Sequence, residues 1–205
     1  MKKAYAASSI SSPLHTEESF RLKQVGEHAV PLAQIGRAIL KGESIDLKHL
    51  PTKLVLDAPQ LPETMTRIFP MGSFWAIAPD VAEVFSRFNL GTSHVWPLDC
   101  SDLGDYSFFG LYIGEGKSSW RPERSTAKRP GFNGKLLIDA LSLKLGEGSV
   151  VLGPEALEGA DLWVEQSHST ALAFFSEDLA EALMDLSIAD ELPLFECSVE
   201  SDHGV

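Results

Sequence analysis

Residues 172–197 read LAFFSEDLAEALMDLSIADELPLFEC. The apolar run Leu172–Phe175 predicts a β-strand. Ser176 is a favourable N-cap residue, and Glu177 and Asp178 place negative charge in the first turn of the helix that follows. This helix carries an apolar stripe at helical spacing, formed by Leu179, Ala182, Leu183 and Leu186. The stretch therefore predicts a strand, an amphipathic helix and a second strand in succession.

Residues 74–100 read FWAIAPDVAEVFSRFNLGTSHVWPLDC and follow the same plan. Phe74–Ala78 predicts a strand, and the apolar spacing in Pro79–Leu90 predicts a helix that Gly91 stops. Three helix positions match by identity, with Asp80, Ala82 and Glu83 corresponding to Asp178, Ala180 and Glu181. We therefore predict a possible duplicated strand–helix–strand unit, with one copy at 74–100 and the other at 172–197.

The remaining patterns predict further strands and one more helix. Strands are expected at Lys53–Leu56, His94–Leu98, Tyr106–Ile113, Ser149–Leu152 and Pro193–Val199, with a helix at Pro31–Leu40 and an ambiguous segment at Leu136–Leu145. The fold class predicted is α+β, a single domain with a mixed or antiparallel sheet and a few amphipathic helices. We expect residues 1–18 to be a loosely ordered N-terminus and residues 19–205 to form the domain.

Two stretches are expected to be irregular. Pro59, Pro62 and Pro70 interrupt the region before the first strand–helix–strand unit. Gly114–Gly134 is expected to be a long connection kept out of regular structure by its prolines and glycines.

The net negative charge of the chain comes from its last third. The net charge is −12, and residues 136–205 hold 15 acidic residues and one basic residue, Lys144. A surface that coats nucleic acid is therefore not expected, whereas an acidic face for a basic protein partner is one interpretation and a solvated, solubilising surface is the other. No run of about 20 apolar residues occurs, and Ala4–Ser12 is too polar for a signal peptide, so no membrane contact and a cytoplasmic location are expected.

No motif of a metal site or a nucleophile elbow occurs in the sequence. The six histidines are scattered, Cys100 and Cys197 form no C-x-x-C pair, and no G-x-S-x-G is present. We expect no cofactor, no metal and no catalytic residues. An enzyme assembled from dispersed residues remains an alternative, with His94, Asp99, Cys100, Asp102 and His168 as its candidates.

The segment Gly110–Ser118, GLYIGEGKS, resembles a phosphate-binding loop but lacks the first glycine at the required spacing and the helix that should follow. The basic run from Lys117 to Lys135 contains one acid, Glu123. A solvated loop is the plain interpretation of this run. An arm that binds a partner protein is the sharper one, because Trp and Arg are favoured interface anchors. Contact with nucleic acid, through the basic residues and the nearby Trp120 and Phe132, is the third interpretation, although the charge of the rest of the chain opposes it.

The candidate partner-binding residues come from this loop and from the last helix. They are Trp120, Arg121, Arg124, Glu177, Asp178, Glu181 and Asp185. The helix acids would offer negative charge to a basic partner, and Trp120 would be an exposed aromatic anchor.

The segment Phe174–Leu183, FFSEDLAEAL, resembles a recurring phrase of bacterial immunity proteins from polymorphic-toxin systems, a family first catalogued as a domain of unknown function. Ala76–Phe85 is a looser copy of the phrase, and Pro51–Leu54 is similar to the middle region of that family. The resemblance spans about residues 50–200. It implies a cytoplasmic inhibitor made beside a secreted toxin, and it transfers no binding residue.

The function expected is therefore that of an immunity protein that binds and neutralises a cognate bacterial toxin or effector by direct contact. An adaptor or structural subunit of a secretion or phage-related assembly is an alternative, as is the dispersed-site enzyme. The adaptor would bind a structural partner and protect against nothing.

Overall fold

A computed structural model describes residues 2–8, 20–23, 45–57, 61, 65–71, 74–131, 136–138, 146–166 and 172–200. Its strands are β1 (Ala4–Ser8), β2 (Phe20–Lys23), β3 (Lys53–Leu56), β4 (Ile68–Met71), β5 (Phe74–Ile77), β6 (His94–Pro97), β7 (Phe109–Tyr112), β8 (Gly116–Lys117), β9 (Lys128–Pro130), β10 (Leu136–Ile138), β11 (Val151–Leu152), β12 (Leu162–Glu165), β13 (Leu172–Ser176) and β14 (Leu194–Val199). The α-helices are α1 (Pro79–Ser86) and α2 (Glu177–Met184), and short 3-10 turns lie at Leu47–His49 and Pro154–Leu157.

Both helices begin where the sequence predicts. The hydroxyl of Ser176 accepts a hydrogen bond from the backbone N–H of Leu179, 3.3 Å away, and so caps α2. Ala78 occupies the same position before α1 but offers no side-chain cap, and Pro79 starts that helix in its place. Most residues of the predicted stripes are buried, namely Val81, Val84 and Phe85 in α1 and Leu179 and Leu183 in α2. The stripe residues Phe88, Ala182 and Leu186 are half-buried instead, and the buried faces also include Ala82 and Ala180.

Strand pairing confirms the α+β class. One sheet has the order β4-β5-β7-β6, and a larger sheet has the order β11-β14-β1-β13-β12-β8. Two-stranded sheets pair β2 with β3 and β9 with β10.

The two sheets repeat one topology. In the first, β7 lies antiparallel between β5 and β6, and α1 connects those two strands. In the second, β1 lies antiparallel between β13 and β14, and α2 connects them. β4 and β12 each add an antiparallel strand beside β5 and β13. The predicted duplication is therefore structural, but the strand equivalent to β7 is supplied from the start of the chain.

The repeat extends to the register of side chains. Gly110 of β7 pairs with Ala76 on one side and Trp96 on the other. At the equivalent place, Ala6 of β1 pairs with Phe174 and Phe195. The outer edges match as well, because Asp99 lies parallel to Lys53 of β3 just as Ser198 lies parallel to Val151 of β11. We call β3–β7 with α1 the first unit, and β11–β14 with α2 and β1 the second unit.

The core has three parts, and the central one joins the units. It contains the buried faces of α1 and α2 and one face of each sheet, including Trp75, Ile77, Ala173 and Phe175. The alternate residues of these strands face outward into two further cores, one per sheet. Strands buried on both faces account for the unbroken apolar runs FWAI and LAFF, because neither face can be polar.

Several sequence-based predictions are wrong. Residues 1–18 were expected to be loosely ordered, but Ala4–Ser8 forms an interior strand whose pairing partners lie more than 160 positions away in the sequence. Pro70 was expected to lie in an irregular stretch, but it is part of the edge strand β4. Gly114–Gly134 was expected to lack regular structure, but it contains β8 and β9. β12 lies where no element was predicted.

Pro70 is explained by comparison with the second unit. Its counterpart there, Val164, donates its backbone N–H to the carbonyl of Glu115, 2.9 Å away, where β8 approaches the outer edge of β12. A proline has no N–H to donate, so β4 remains an edge at this position. The helix predicted at Pro31–Leu40 and most of the ambiguous segment Leu136–Leu145 lie outside the described residues, which include only β10 of the latter.

Candidate protein-binding surface

Arg67 fixes the two helices against each other. Its guanidinium donates to the carbonyls of Leu186 and Ser187, at 2.9 and 3.0 Å, just beyond the end of α2. It also lies 3.5 Å from the carboxylate of Asp80 at the start of α1, and 3.3 Å from that of Glu191. A cation at the end of a helix satisfies the last carbonyls and complements the helix dipole. The start of α1 is therefore bonded to the end of α2.

Asp161 makes the corresponding contact at the opposite end of the helix pair, beyond the end of α1. Its carboxylate accepts a hydrogen bond from the backbone N–H of Asn89, beyond α1, at 2.9 Å. Asp161 also occupies the position of Arg67 in its unit, since the carbonyls of Arg67 and Asp161 accept from Ala78 and Ser176, the residues that precede α1 and α2. The two helices are thus held by one polar side chain from each unit.

The outer face of this helix pair is acidic. Asp80 and Glu83 of α1 are exposed, as are Asp178 and Glu181 of α2 and Asp185 at its end. Met184 lies on the same helix with 39% of its surface exposed. We call this set, Asp80, Glu83, Asp178, Glu181, Met184 and Asp185, the acidic helix face.

Most of these carboxylates have no ion-pair partner among the residues that the structure describes. Within the described part of the chain, no cation forms an ion pair with Glu83, Asp178, Glu181 or Asp185. Asp185 stands at the helix end where negative charge is unfavourable, and the last turn of α2 holds no base. Helix stability therefore gives no reason for this acid, whereas solubility or a basic partner does.

Glu177, which was also predicted as a partner-binding residue, is already engaged. Its carboxylate accepts a hydrogen bond from the backbone N–H of Lys3 at 3.1 Å. The ammonium of Lys3 pairs with Glu196 of the neighbouring strand at 2.7 Å. Glu177 and Lys3 therefore join α2 to β1.

The prediction that Trp120 is an exposed anchor is wrong. Only 4% of its surface is exposed, because it packs in the outer core of the second unit and its indole N–H donates to the Ser125 hydroxyl at 2.8 Å. Arg121 is held by both carboxylate oxygens of Glu155, at 2.8 and 2.7 Å. Arg124 is the most accessible of the three, with 65% of its side chain exposed, although it pairs with Glu200 at 2.7 Å.

A buried carboxylate anchors the start of the loop that contains Trp120, Arg121 and Arg124. Sequence patterns did not indicate this carboxylate. Glu165 is 3% exposed and accepts from the hydroxyl of Ser119 at 2.5 Å and from its backbone N–H at 3.1 Å. Burial raises the pKa of Glu165, although the bonds from Ser119 oppose the rise. Polar residues in a connection give no sequence signal of such a contact, because it joins side chains 46 positions apart.

Lys117 is half-buried, and its ammonium is engaged rather than free to bind phosphate. Its ammonium donates to the carbonyls of Ala156 and Ala160, at 3.1 and 2.8 Å, and lies 3.8 Å from the centre of the Trp163 ring. Burial lowers the pKa of Lys117, and nearby acids led by Asp161 oppose this. Its role here is to bind neighbouring backbone and an aromatic face.

Among the four described candidates for an enzyme, no side chain is hydrogen-bonded to another. Asp99 and Asp102 both pair with Lys53, at 3.7 and 2.9 Å. Cys100 is buried, which raises the pKa of its thiol and disfavours a thiolate nucleophile. The ring of His94 stacks on Tyr112 at 6.5 Å between centres, and His168 lies outside the described residues.

Cys100 and Cys197 are both free and buried, in different outer cores. Across the ranges given above, no three His, Cys, Asp or Glu side chains come together as metal ligands. None of the described helices is long and apolar enough to cross a membrane. No known protein-family model matches the chain, and no curated protein matches it.

Proposed function

We propose that this chain is a cytoplasmic immunity protein that binds a basic toxin through the acidic helix face. The observation that carries the proposal is the group Glu83, Asp178, Glu181 and Asp185, for which the described residues provide no ion-pairing cation. Complementary charge speeds the encounter of two proteins and sets their orientation. The resemblance of Phe174–Leu183 to immunity proteins supports the inference that this binding neutralises a toxin.

The helix face is suited to rigid recognition. Each helix is packed on the central core along its apolar stripe, and Arg67 and Asp161 hold the helix ends. The acids therefore project from a fixed platform, so that little conformational entropy is lost on binding. Met184 provides an apolar contact among them, and such contacts provide binding energy once water is excluded.

Inhibition would follow from occlusion. Toxins that cleave nucleic acids need a basic cleft for their substrate, and an acidic protein surface competes for such a cleft. The proposal accordingly takes the toxin's basic, substrate-binding side as the surface that the acidic helix face covers.

The first test is a rescue assay. The C-terminal domain of the protein encoded immediately upstream is expressed in a bacterial host with and without this chain, and co-purification is measured in parallel. We expect growth to stop without this chain and to return with it. Co-purification with a neighbour that is harmless would instead support the adaptor function.

The second test locates the surface. A variant with Asp178→Asn, Glu181→Gln and Asp185→Asn removes charge while it keeps side-chain shape, and we expect affinity to fall about tenfold or more, which corresponds to about 1.4 kcal/mol. Glu123→Gln, Glu147→Gln and Glu158→Gln remove three exposed acids from other elements and serve as the control. Equal affinity of the two triple variants would exclude the acidic helix face as the binding surface.

A further inference from the structure

The second unit is completed by a strand that lies far from it in the sequence. β1 pairs with β13 along all five of its residues and with β14 along Ala4–Ala7. In the first unit the same position is filled by β7, which follows β6 directly. We call the position between β13 and β14 the strand slot.

Backbone pairing dominates the contact between β1 and the strand slot. Ala4, Ala6 and Ala7 are fully buried but contribute one methyl group each. In the first unit, the positions equivalent to Ala4 and Ala7 are the buried Phe108, which precedes β7, and Leu111 of β7, and the position equivalent to Ala6 is Gly110. Because buried apolar area sets the hydrophobic gain, β1 is held less by its side chains than β7 is. Hydrogen bonds to both neighbouring strands are therefore its main attachment.

The polar contacts next to β1 are made by Lys3, and the same segment of another chain can make them as well. Lys3 places its backbone N–H on Glu177 and its ammonium on Glu196, and both carboxylates belong to the second unit. The strand slot therefore recognises an extended segment of small residues and one tyrosine, Tyr5, that is preceded by a lysine. A second copy of this chain carries that segment.

We propose that the strand slot also accepts β1 from a second copy of this chain, so that two chains exchange β1 and form a dimer. The contacts that β1 makes with β13, β14 and α2 within one chain are regained between chains, and association carries an entropic cost. The inference does not rest on the proposed function, and immunity could hold for either form.

The test uses a thiol at Ala4, which faces the native Cys197 across β1 and β14. One chain carries Ala4→Cys, Cys197→Ser and Cys100→Ser; the other carries Cys100→Ser only. The two are mixed, incubated and oxidised. Only a β1 strand seated in the other chain's strand slot brings the two thiols together, since paired Cα atoms in such strands lie within the reach of a disulfide. We expect a covalent heterodimer whose amount rises with incubation time.

A chain with both Ala4→Cys and native Cys197 is the positive control and should form the bond within itself. No heterodimer under conditions in which this control oxidises fully would overturn the proposal. The unsubstituted chain gives a second measurement, since it is refolded from denaturant at low and at high concentration and its mass is measured by light scattering. We expect a dimer at high concentration that persists on dilution; a monomer at every concentration would likewise contradict exchange.

Discussion

Glu165 shows how a single buried carboxylate can hold a loop in place. Its oxygens receive the hydroxyl and backbone N–H of Ser119, so the segment that leads to Trp120 is fixed to the end of β12. An unpartnered buried charge costs several kcal/mol. The donors of Ser119 offset this cost because they replace the water that the carboxylate loses on burial.

We expect Glu165→Gln to change how stability depends on pH. Burial raises the pKa of Glu165 in the folded protein, so its favourable contribution is full below the unfolded-state pKa and is lost as pH rises through the folded-state pKa. A glutamine does not titrate. The free energy of unfolding of the variant, minus that of the unsubstituted protein, should therefore increase from acid to neutral pH in urea titrations.

Glu155→Gln is the control of opposite sign. A hydrogen bond from its own backbone N–H, together with Arg121, lowers the pKa of Glu155. Its contribution is present above the unfolded-state pKa and is lost as pH falls through the folded-state pKa. For Glu165→Gln, a difference in free energy of unfolding that is independent of pH, or that changes with pH in the same direction as for Glu155→Gln, would show that burial does not determine the pKa of Glu165.

The side chain of Trp96 leaves no room for a Cβ atom at Gly110. A Cβ added there would lie 2.3 Å from Cζ2 of Trp96, its cross-strand partner, which in turn donates its indole N–H to the carbonyl of Pro51. We expect Gly110→Ala to destabilise the protein by about 1–3 kcal/mol, as overpacking does. Gly146→Ala, where nothing lies within 4 Å and φ is not positive, is the control for chemical denaturation. Equal midpoints for the two variants would contradict the contact.

The paired helices allow a reciprocal test of capping. Ser176→Ala removes the bond to the backbone N–H of Leu179, and we expect a loss of about 1 kcal/mol. Ala78→Ser places a hydroxyl at the equivalent extended position before α1 and should stabilise by a comparable or smaller amount. Urea midpoints that shift in opposite directions would support the equivalence of α1 and α2; a shift of both in one direction would oppose it.

The architecture as a whole predicts that chain order can be changed without loss of the fold. If residues 1–8 are moved behind residue 205, β14 is joined to β1 through residues 200–205 and 1–3, much as residues 98–108 join β6 to β7. With a short glycine insertion, we expect this rearranged chain to fold cooperatively, as followed by circular dichroism and urea unfolding. The control is residues 9–205 alone, which lack the interior strand and should be severely destabilised. A rearranged chain no more stable than this control would contradict the equivalence of β1 and β7.

The sequence alone determined the two strand–helix–strand segments, the Ser176 cap, most buried positions of the two helices, the α+β class and the acidic character of α2. These features follow from periodicity and from neighbours close in sequence, and an N-cap or an apolar stripe is complete within a few residues. The acids Asp178, Glu181 and Asp185 were predicted in this way and are exposed.

Only the tertiary structure decided where β1 belongs, that Trp120 is buried, and that Glu165 meets Ser119. Ala4–Ser8 consists mostly of small residues and shows no strong apolar pattern, and its burial comes from two strands that are distant in the sequence. Trp120 stands in a basic run, and its surroundings come from β11 and the outer core. Such contacts depend on which segments the whole chain brings together, and local sequence patterns do not contain that information.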